Sequence, residues 1–341
     1  MFKTSEWVSL GHPDKIADYI SCYILDRYLE KDPFVRYALE VQIKDNFVTL
    51  GGEITSSHTF DALAISNFVR EAVSEIGYTR KYQQKWGKEN TICADDIEVT
   101  QHIGKQSPDI SCGVDNNGWG DQGIFWGMAV NSPETDYMPK DWYIAKKIGQ
   151  LLYDDRTCGG LDIKTQVSMN NDVIEEIVIA VPQLPRHTKK NVENVVSCVC
   201  GRNGYRNLFI NGTGKYIKHG PVGDCGTTGR KLAVDFYGGN CKIGGGSPWT
   251  KDGSKADLTL NMLARFCALE HIKLHPELEE VYCSISCRIG SDRIYISLFD
   301  KNNNEIKTYT RDVSPERFIK HFHLRKPDYC DRCRFGLFAS I

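Results

Sequence analysis

Three stretches of this 341-residue chain alternate apolar and polar residues on both sides of a turn signal. They are EVQIKDNFVTLGGEIT around Asp45-Asn46, QVSMNNDVIEEIVIAV around Asn170-Asn171-Asp172, and SISCRIGSDRIYISLF around Gly290-Ser291-Asp292. Period-two alternation marks strands with one buried face, and a short Asn/Asp/Gly break between two such runs marks a hairpin. The turns lie about 120 residues apart, which suggests an internal repeat. Helical periodicity precedes each hairpin, at 14–30, 141–153 and 257–273, and follows each, at 59–76, 187–199 and 314–322. Helix–hairpin–helix three times over predicts an α+β fold of three structurally similar units, a pseudo-threefold repeat, each a mostly antiparallel sheet with helices on one face. The units are expected at 1–104, 105–221 (with a lid loop at 104–123) and 222–341, with strands free to exchange between them.

Composition narrows the partners. Net charge is −2, so nothing points to nucleic acid. No apolar run is long enough to span a membrane, and residues 1–20 show no signal-peptide pattern. The 13 cysteines are odd in number and scattered, which suits reduced thiols in a cytoplasmic protein. Cys330 and Cys333 form one C-x-x-C with His321 and His323 nearby. A structural zinc site needs a second pair or added His ligands, so a metal there stays open.

Residues 9–18, SLGHPDKIAD, place His12, Asp14 and Lys15 where a loop becomes a helix. Pro13 suits the first helical position, and Ile16, Ile20, Ile24 and Tyr28 follow as one apolar face. A helix N-terminus favours an anion; the plainer alternative is that His12 and Asp14 only cap the helix. Other charges sit in Gly-rich loops. Glu53 follows Gly51-Gly52, residues 104–123 are polar and Gly-punctuated, and residues 211–257 hold NGTGKYIKHGPVGDCGTTGRK and GGGSPWTKDGSKAD. The pattern G-x-x-x-x-G-K-[ST] does not occur, so this is no P-loop. Gly-rich backbone with Lys164, Arg230, Lys231, Lys251 and Lys255 still suits a polyphosphate leaving group, whose developing charge must be neutralised. Asp14, Asp121, Asp224 and Asp257 are candidate Mg²⁺ ligands, because Mg²⁺ takes a carboxylate or two plus phosphate oxygens and water.

Nine stretches in order, SLGHPDKIAD, LGGEITSS, IGKQSPDI, GDQG, DIKTQV, INGTGKYI, GPVGDCGTTGRK, DFYGG and KDGSKAD, resemble the S-adenosylmethionine synthetase family. The resemblance covers about residues 4–260; beyond it only RIG and a weak F-x-L-R match, as if the usual C-terminal segment were largely missing. It implies transfer of the adenosyl group of ATP to the sulfur of methionine, with hydrolysis of the triphosphate to pyrophosphate and phosphate. It implies catalytic roles for His12, Lys164, Arg230 and Lys231. ATP and its triphosphate would meet these and Asp121, Asp162, Lys215, Tyr216, Asp224, Ser247 and Lys251. Methionine would meet Glu53, Gln106, Asp224 and Lys255. Asp14 and Asp257 would hold two Mg²⁺ ions, and Glu40 a K⁺. The family also implies a homodimer with shared sites, with further pairing to a tetramer left open. Departures are Trp119 within G-x-G-D-Q-G, a shortened lid from Asp115 to Gly120, and Pro248-Trp249 after the glycines. Two other readings stay open: a catalytically silent homologue that regulates a full-length synthetase, and a triphosphatase that has lost methionine use.

Overall fold

Turn chemistry sets the hairpins. Asp45, Asn171 and Gly290 adopt positive φ (50°, 52° and 70°), the backbone that Asp, Asn and Gly tolerate best. The computed structural model describes residues 2–105 and 118–338; Gln106 and the lid residues up to 117 lie outside them.

Three four-stranded sheets result. The first has order β4–β3–β2–β9, with β2 (Arg36–Lys44), β3 (Phe47–Thr55), β4 (Glu98–Gly104) and β9 (Gly226–Thr227). The second is β8–β7–β6–β1, with β1 (Phe2–Val8), β6 (Lys164–Asn170), β7 (Val173–Ala180) and β8 (Tyr205–Ile210). The third is β12–β11–β10–β5, with β5 (Gly123–Val130), β10 (Glu280–Cys287), β11 (Arg293–Asp300) and β12 (Glu305–Asp312). A predicted hairpin forms the centre of each. The first two sheets add an outer strand in parallel, β4 on β3 and β8 on β7. The third adds β12 antiparallel to β11, because the tight turn at Asp300–Asn304 leaves no crossover; the Asp300 carboxylate accepts the Asn302 and Asn304 N–H groups.

Strand exchange is cyclic. β1, ahead of the first unit's helix, pairs with β6 of the second. β5, ahead of the second unit's helix, pairs with β10 of the third. β9, ahead of the third unit's helix, pairs with β2 of the first.

The helices ahead of the hairpins are α1 (Pro13–Leu29), α4 (Lys140–Asp154) and α7 (Ala256–Leu274); those after are α2 (Ala62–Ile76), α5 (Lys189–Cys200) and α8 (Pro315–His321). Short helices α3 (Arg80–Trp86), α6 (Leu232–Asp235) and α9 (Tyr329–Phe335) fill the joints. Each sheet turns one face to helices. Leu39, Val41, Ile43, Val48 and Leu50 point inward on the first sheet, and Ile294, Ile296 and Leu298 on the third. The opposite faces stay open, and Ile124 and Tyr295 are exposed on the third. The single apolar face predicted for α1 is corrected: nearly all of α1 is buried, because α2, α9, β2 and β9 surround it. Among the described residues no helix is long and apolar enough to cross a membrane.

Cys330 and Cys333 lie on α9. Asp26 of α1 accepts the Tyr329 and Cys330 N–H groups, both at 2.9 Å, which seats the pair in the core. His321 instead packs edge-on against Phe266. Among the described residues no group of three or more His, Cys, Asp or Glu is arranged to hold a metal.

Candidate active site

The site begins at the N-terminus of α1. His12 is the N-cap, and its Nδ1 accepts the Asp14 N–H at 3.2 Å. Burial, then the Lys231 charge, lowers its pKa to about 4. The ring is therefore neutral near pH 7. With Nδ1 accepting, the proton sits on Nε2, which is a donor. The Asp14 carboxylate faces β9 and Lys231 instead of capping the helix. It is buried; its Oδ1 accepts the Thr227 N–H at 2.9 Å and its Oδ2 meets the Lys231 ammonium at 2.6 Å. Arg230 Nε lies 3.8 Å from Oδ1. Glycine lets β9 come this close: a Cβ on Gly226 would lie 2.1 Å from the Pro13 carbonyl oxygen.

A second carboxylate–ammonium pair stands at the start of α7. Lys251 is bonded to Asp257 Oδ2, and Asp257 Oδ1 accepts the Gly246 N–H at 2.7 Å. Lys255 is the N-cap residue of α7, and Ser247 is buried against Gly229. Among the described residues no ion pair joins this group to the His12 group.

Of the other predicted residues, Lys164 and Asp224 act electrostatically on His12. Asp162 Oδ2 accepts the Gly220 N–H at 2.8 Å, and burial raises its pKa to about 6. The Tyr216 hydroxyl donates to the Asp162 carbonyl at 3.3 Å. Lys164 pairs with Glu6 at 2.6 Å on the open face of the second sheet. Glu40 accepts the Thr228 hydroxyl, and Glu53 lies on β3 opposite Ala38, itself bridged to Lys251. Asp121, Lys215 and Asp224 are exposed. Gln106 lies outside the described residues. Trp119 is fully buried and its backbone N–H donates to the Ser291 carbonyl, so the end of the expected lid is fixed to the third hairpin. Trp249, one of the departures from the family pattern, is buried too.

Sequence reasoning gave no role to what lies beneath. Lys15 Nζ is 2.8 Å from Asp235 and 3.2 Å from Asp18, and 4.6 Å over the Trp249 ring. Burial opposes the Lys15 charge, but Asp235 and Asp18 override it and hold the ammonium above its usual range. Burial, with Asp235 adding repulsion, raises Asp18 to about 7. Asp18 accepts the Gly229 N–H and Asp235 the Trp249 indole N–H, at 2.9 and 2.8 Å. The network thus ties α1 to both cation-bearing loops. The available signal was Lys15 and Asp18 flanking Ile16 in an apolar helix, charges that a buried helix must pair.

Also missed was a hydrogen-bonded joint near α3. Tyr78 donates to the Gly11 carbonyl at 2.6 Å. His219 Nδ1 lies 2.6 Å from the Ile217 carbonyl, so it donates there and Nε2 accepts the Tyr82 hydroxyl, also at 2.6 Å. The Tyr82 oxygen accepts the Leu161 N–H at 3.0 Å. The joint pins the segments that carry His12, Asp162 and Tyr216. Tyr82→Phe keeps the ring and leaves two buried polar groups unpaired, so stability should fall by about 1–3 kcal/mol. Urea unfolding checks this; an unchanged midpoint would mean that the hydroxyl is dispensable.

The oxygen donors suit Mg²⁺. Each of Asp14 and Asp257 has one oxygen fixed by a backbone N–H and the other facing an ammonium on a flexible stem. One carboxylate apiece is what Mg²⁺ takes when phosphates and water complete its shell. For K⁺ the described arrangement offers the Glu40 carboxylate beside Thr228.

The family model for the S-adenosylmethionine synthetase N-terminal domain matches residues 1–108, and that for the C-terminal domain matches 218–340. The expectation of a largely missing C-terminal segment is thereby corrected: the C-terminal model extends to residue 340. The S-adenosylmethionine synthase of Clostridium tetani (strain Massachusetts / E88) is 34% identical over 377 aligned positions, covering 98% of this chain and 93% of that protein. A solved structure described as an unusual S-adenosylmethionine synthetase from Campylobacter jejuni superposes with a TM-score of 0.86 at 29% identity, covering 99% and 94% of the two chains. With its three-unit fold and its clustered site motifs, this chain belongs to the S-adenosylmethionine synthetase family.

Proposed function

We propose that the chain is a methionine adenosyltransferase, making S-adenosylmethionine, phosphate and pyrophosphate from ATP, L-methionine and water. A sulfur lone pair attacks C5′ of ATP, the C5′–O bond breaks, and the electron pair leaves with triphosphate. Water then splits the triphosphate. No covalent help from the protein is needed, so catalysis is positioning and charge neutralisation. Lys231, Arg230, Lys164 and Lys251 carry the neutralising charge, and the His12 Nε2–H donates to the departing oxygen. Asp162 and Tyr216 shape the nucleotide pocket with Asp121, Lys215 and Ser247; Glu53, Gln106, Asp224 and Lys255 hold methionine. Asp14 and Asp257 would hold Mg²⁺, which supplies Lewis-acid charge to the phosphates, and Glu40 a K⁺. We infer a homodimer with shared sites.

The observation that carries this reading is the meeting of His12, Asp14, Arg230 and Lys231 at one helix N-terminus. The test is product detection from ATP and methionine with Mg²⁺ and K⁺. One pyrophosphate and one phosphate should appear per S-adenosylmethionine, and chelating Mg²⁺ should abolish all three. No product would make the chain a silent homologue. Phosphate release indifferent to methionine would make it a triphosphatase.

A further inference from the structure

One cavity lies away from the groups placed on substrate. It measures about 320 Å³ and opens between α4, α7 and the residues after α9, at the small end of the roughly 300–1,000 Å³ range of ligand pockets. Trp142, Lys146 and Gln150 line it from α4, at the four-residue spacing of one helix face. Tyr143, Met138 and Phe338 add apolar wall. Phe338 is itself held by stacking on Tyr237, with centroids 5.1 Å apart.

Besides exposed Lys147, this wall holds two less exposed cations without counter-ions. Arg265 is 3% exposed and donates to three carbonyls, of Met128, Tyr137 and Asp136, at 2.6, 3.1 and 2.8 Å. Its Nε–H is buried and has no partner. Lys146 donates to the Phe335 carbonyl at 2.5 Å and lies 4.9 Å from the Trp142 ring centroid. Burial lowers its pKa to about 8. Among the described residues neither cation forms an ion pair. Two acids line the cavity, exposed Asp136 and buried Asp235, and Lys15 and Trp249 already engage both oxygens of Asp235. Carbonyl dipoles offset a buried full charge only in part, so an entering anion is favoured.

We propose that this cavity binds a small organic anion, with its head group between Lys146 and Arg265 and its apolar body against Trp142, Tyr143 and Phe338. Carboxylates and phosphate esters share this chemistry. The site also reaches the catalytic region. Asp235 holds Lys15, Lys15 holds Asp18, and Asp18 holds the Gly229 N–H, next to Arg230. An anion beside Asp235 repels its charge and so bears on the loop that carries Arg230 and Lys231. This coupling rests on the proposed activity; binding does not.

The test titrates the full chain calorimetrically with benzoate, phenyl phosphate and neutral benzyl alcohol, with tripolyphosphate present to fill the triphosphate region. At least one of the two anions should bind saturably, and benzyl alcohol about tenfold more weakly or not at all. The tighter head group identifies the source as a carboxylate or a phosphate ester. Lys146→Met keeps the stem over Trp142 and removes the charge, and should weaken anion binding about tenfold. Should that variant misfold, Gln150→Trp crowds the cavity and should abolish binding with Lys146 in place. Benzoate or phenyl phosphate should also shift the rate of S-adenosylmethionine formation about twofold or more. No saturable binding up to about 10 mM, equal binding of benzyl alcohol, or unchanged affinity in the folded variants overturns the site. A chain that binds the anion but forms no product overturns the activity reading alone.

Discussion

Asp14→Asn is expected to lower turnover about a thousandfold while leaving the fold intact, because two charge effects are lost together. The substitution is nearly isosteric, and the amide oxygen still accepts the Thr227 N–H. The remaining position changes from an acceptor to an N–H₂ donor that faces the Lys231 ammonium, where the carboxylate now sits at 2.6 Å. Lys231 then loses its counter-ion and its orientation, and a Mg²⁺ ligand disappears. Asp257→Asn removes the matching partner of Lys251 and should fall by a similar factor. Steady-state S-adenosylmethionine formation at saturating ATP and Mg²⁺ reads the loss, and urea unfolding confirms the fold. Turnover within tenfold of wild type would remove Asp14 from the reaction.

The second large effect concerns whose residues make one site. Glu40, Glu53 and Lys164 lie on open sheet faces, which a single chain leaves to solvent. The Lys251–Asp257 pair makes no ion pair with the His12 group among the described residues. A second copy laid across these faces by two-fold symmetry would enclose both groups. Lys164→Ala and Lys251→Ala should each abolish most activity as homodimers. In a mixed dimer both lesions fall in one site and the other site is wild type. With random pairing half the dimers are mixed and half their sites intact, so about a quarter of wild-type activity should return on co-expression. Inactivity of the mixture, once mixed dimers are demonstrated, would refute the shared site.

How much of this the sequence carried depends on the range of each interaction. Hairpins and helices are local, so period-two runs about Asp45, Asn171 and Gly290 marked the strand pairs, and the flanking helices form within a few residues of their expected ends. The partner of a lone strand is not local. Nothing in the seven residues of β1 says that β6, over 150 positions away, is its neighbour. The same limit hid the surroundings of α1: its isoleucines look like one stripe until α9 arrives from the far end of the chain. The charged motifs were legible as types and spacing. Their division into two carboxylate–ammonium groups was not, because it depends on β9 reaching Pro13. Lys15, Asp18 and Asp235 were hidden for the same reason: a buried ion pair needs its distant partner before it makes sense.

The cyclic exchange of β1, β5 and β9 has a consequence for how such a chain can change length. Each sheet is closed by a strand lent from another repeat, so no repeat is a separable module. Removing any one would strip a neighbour of its outermost strand and bare a sheet edge. Lineages of this architecture can therefore shorten their connections but cannot shed a third of the body. The same interdependence makes the three repeats one cooperative folding entity, committed only when the last borrowed strand has found its place.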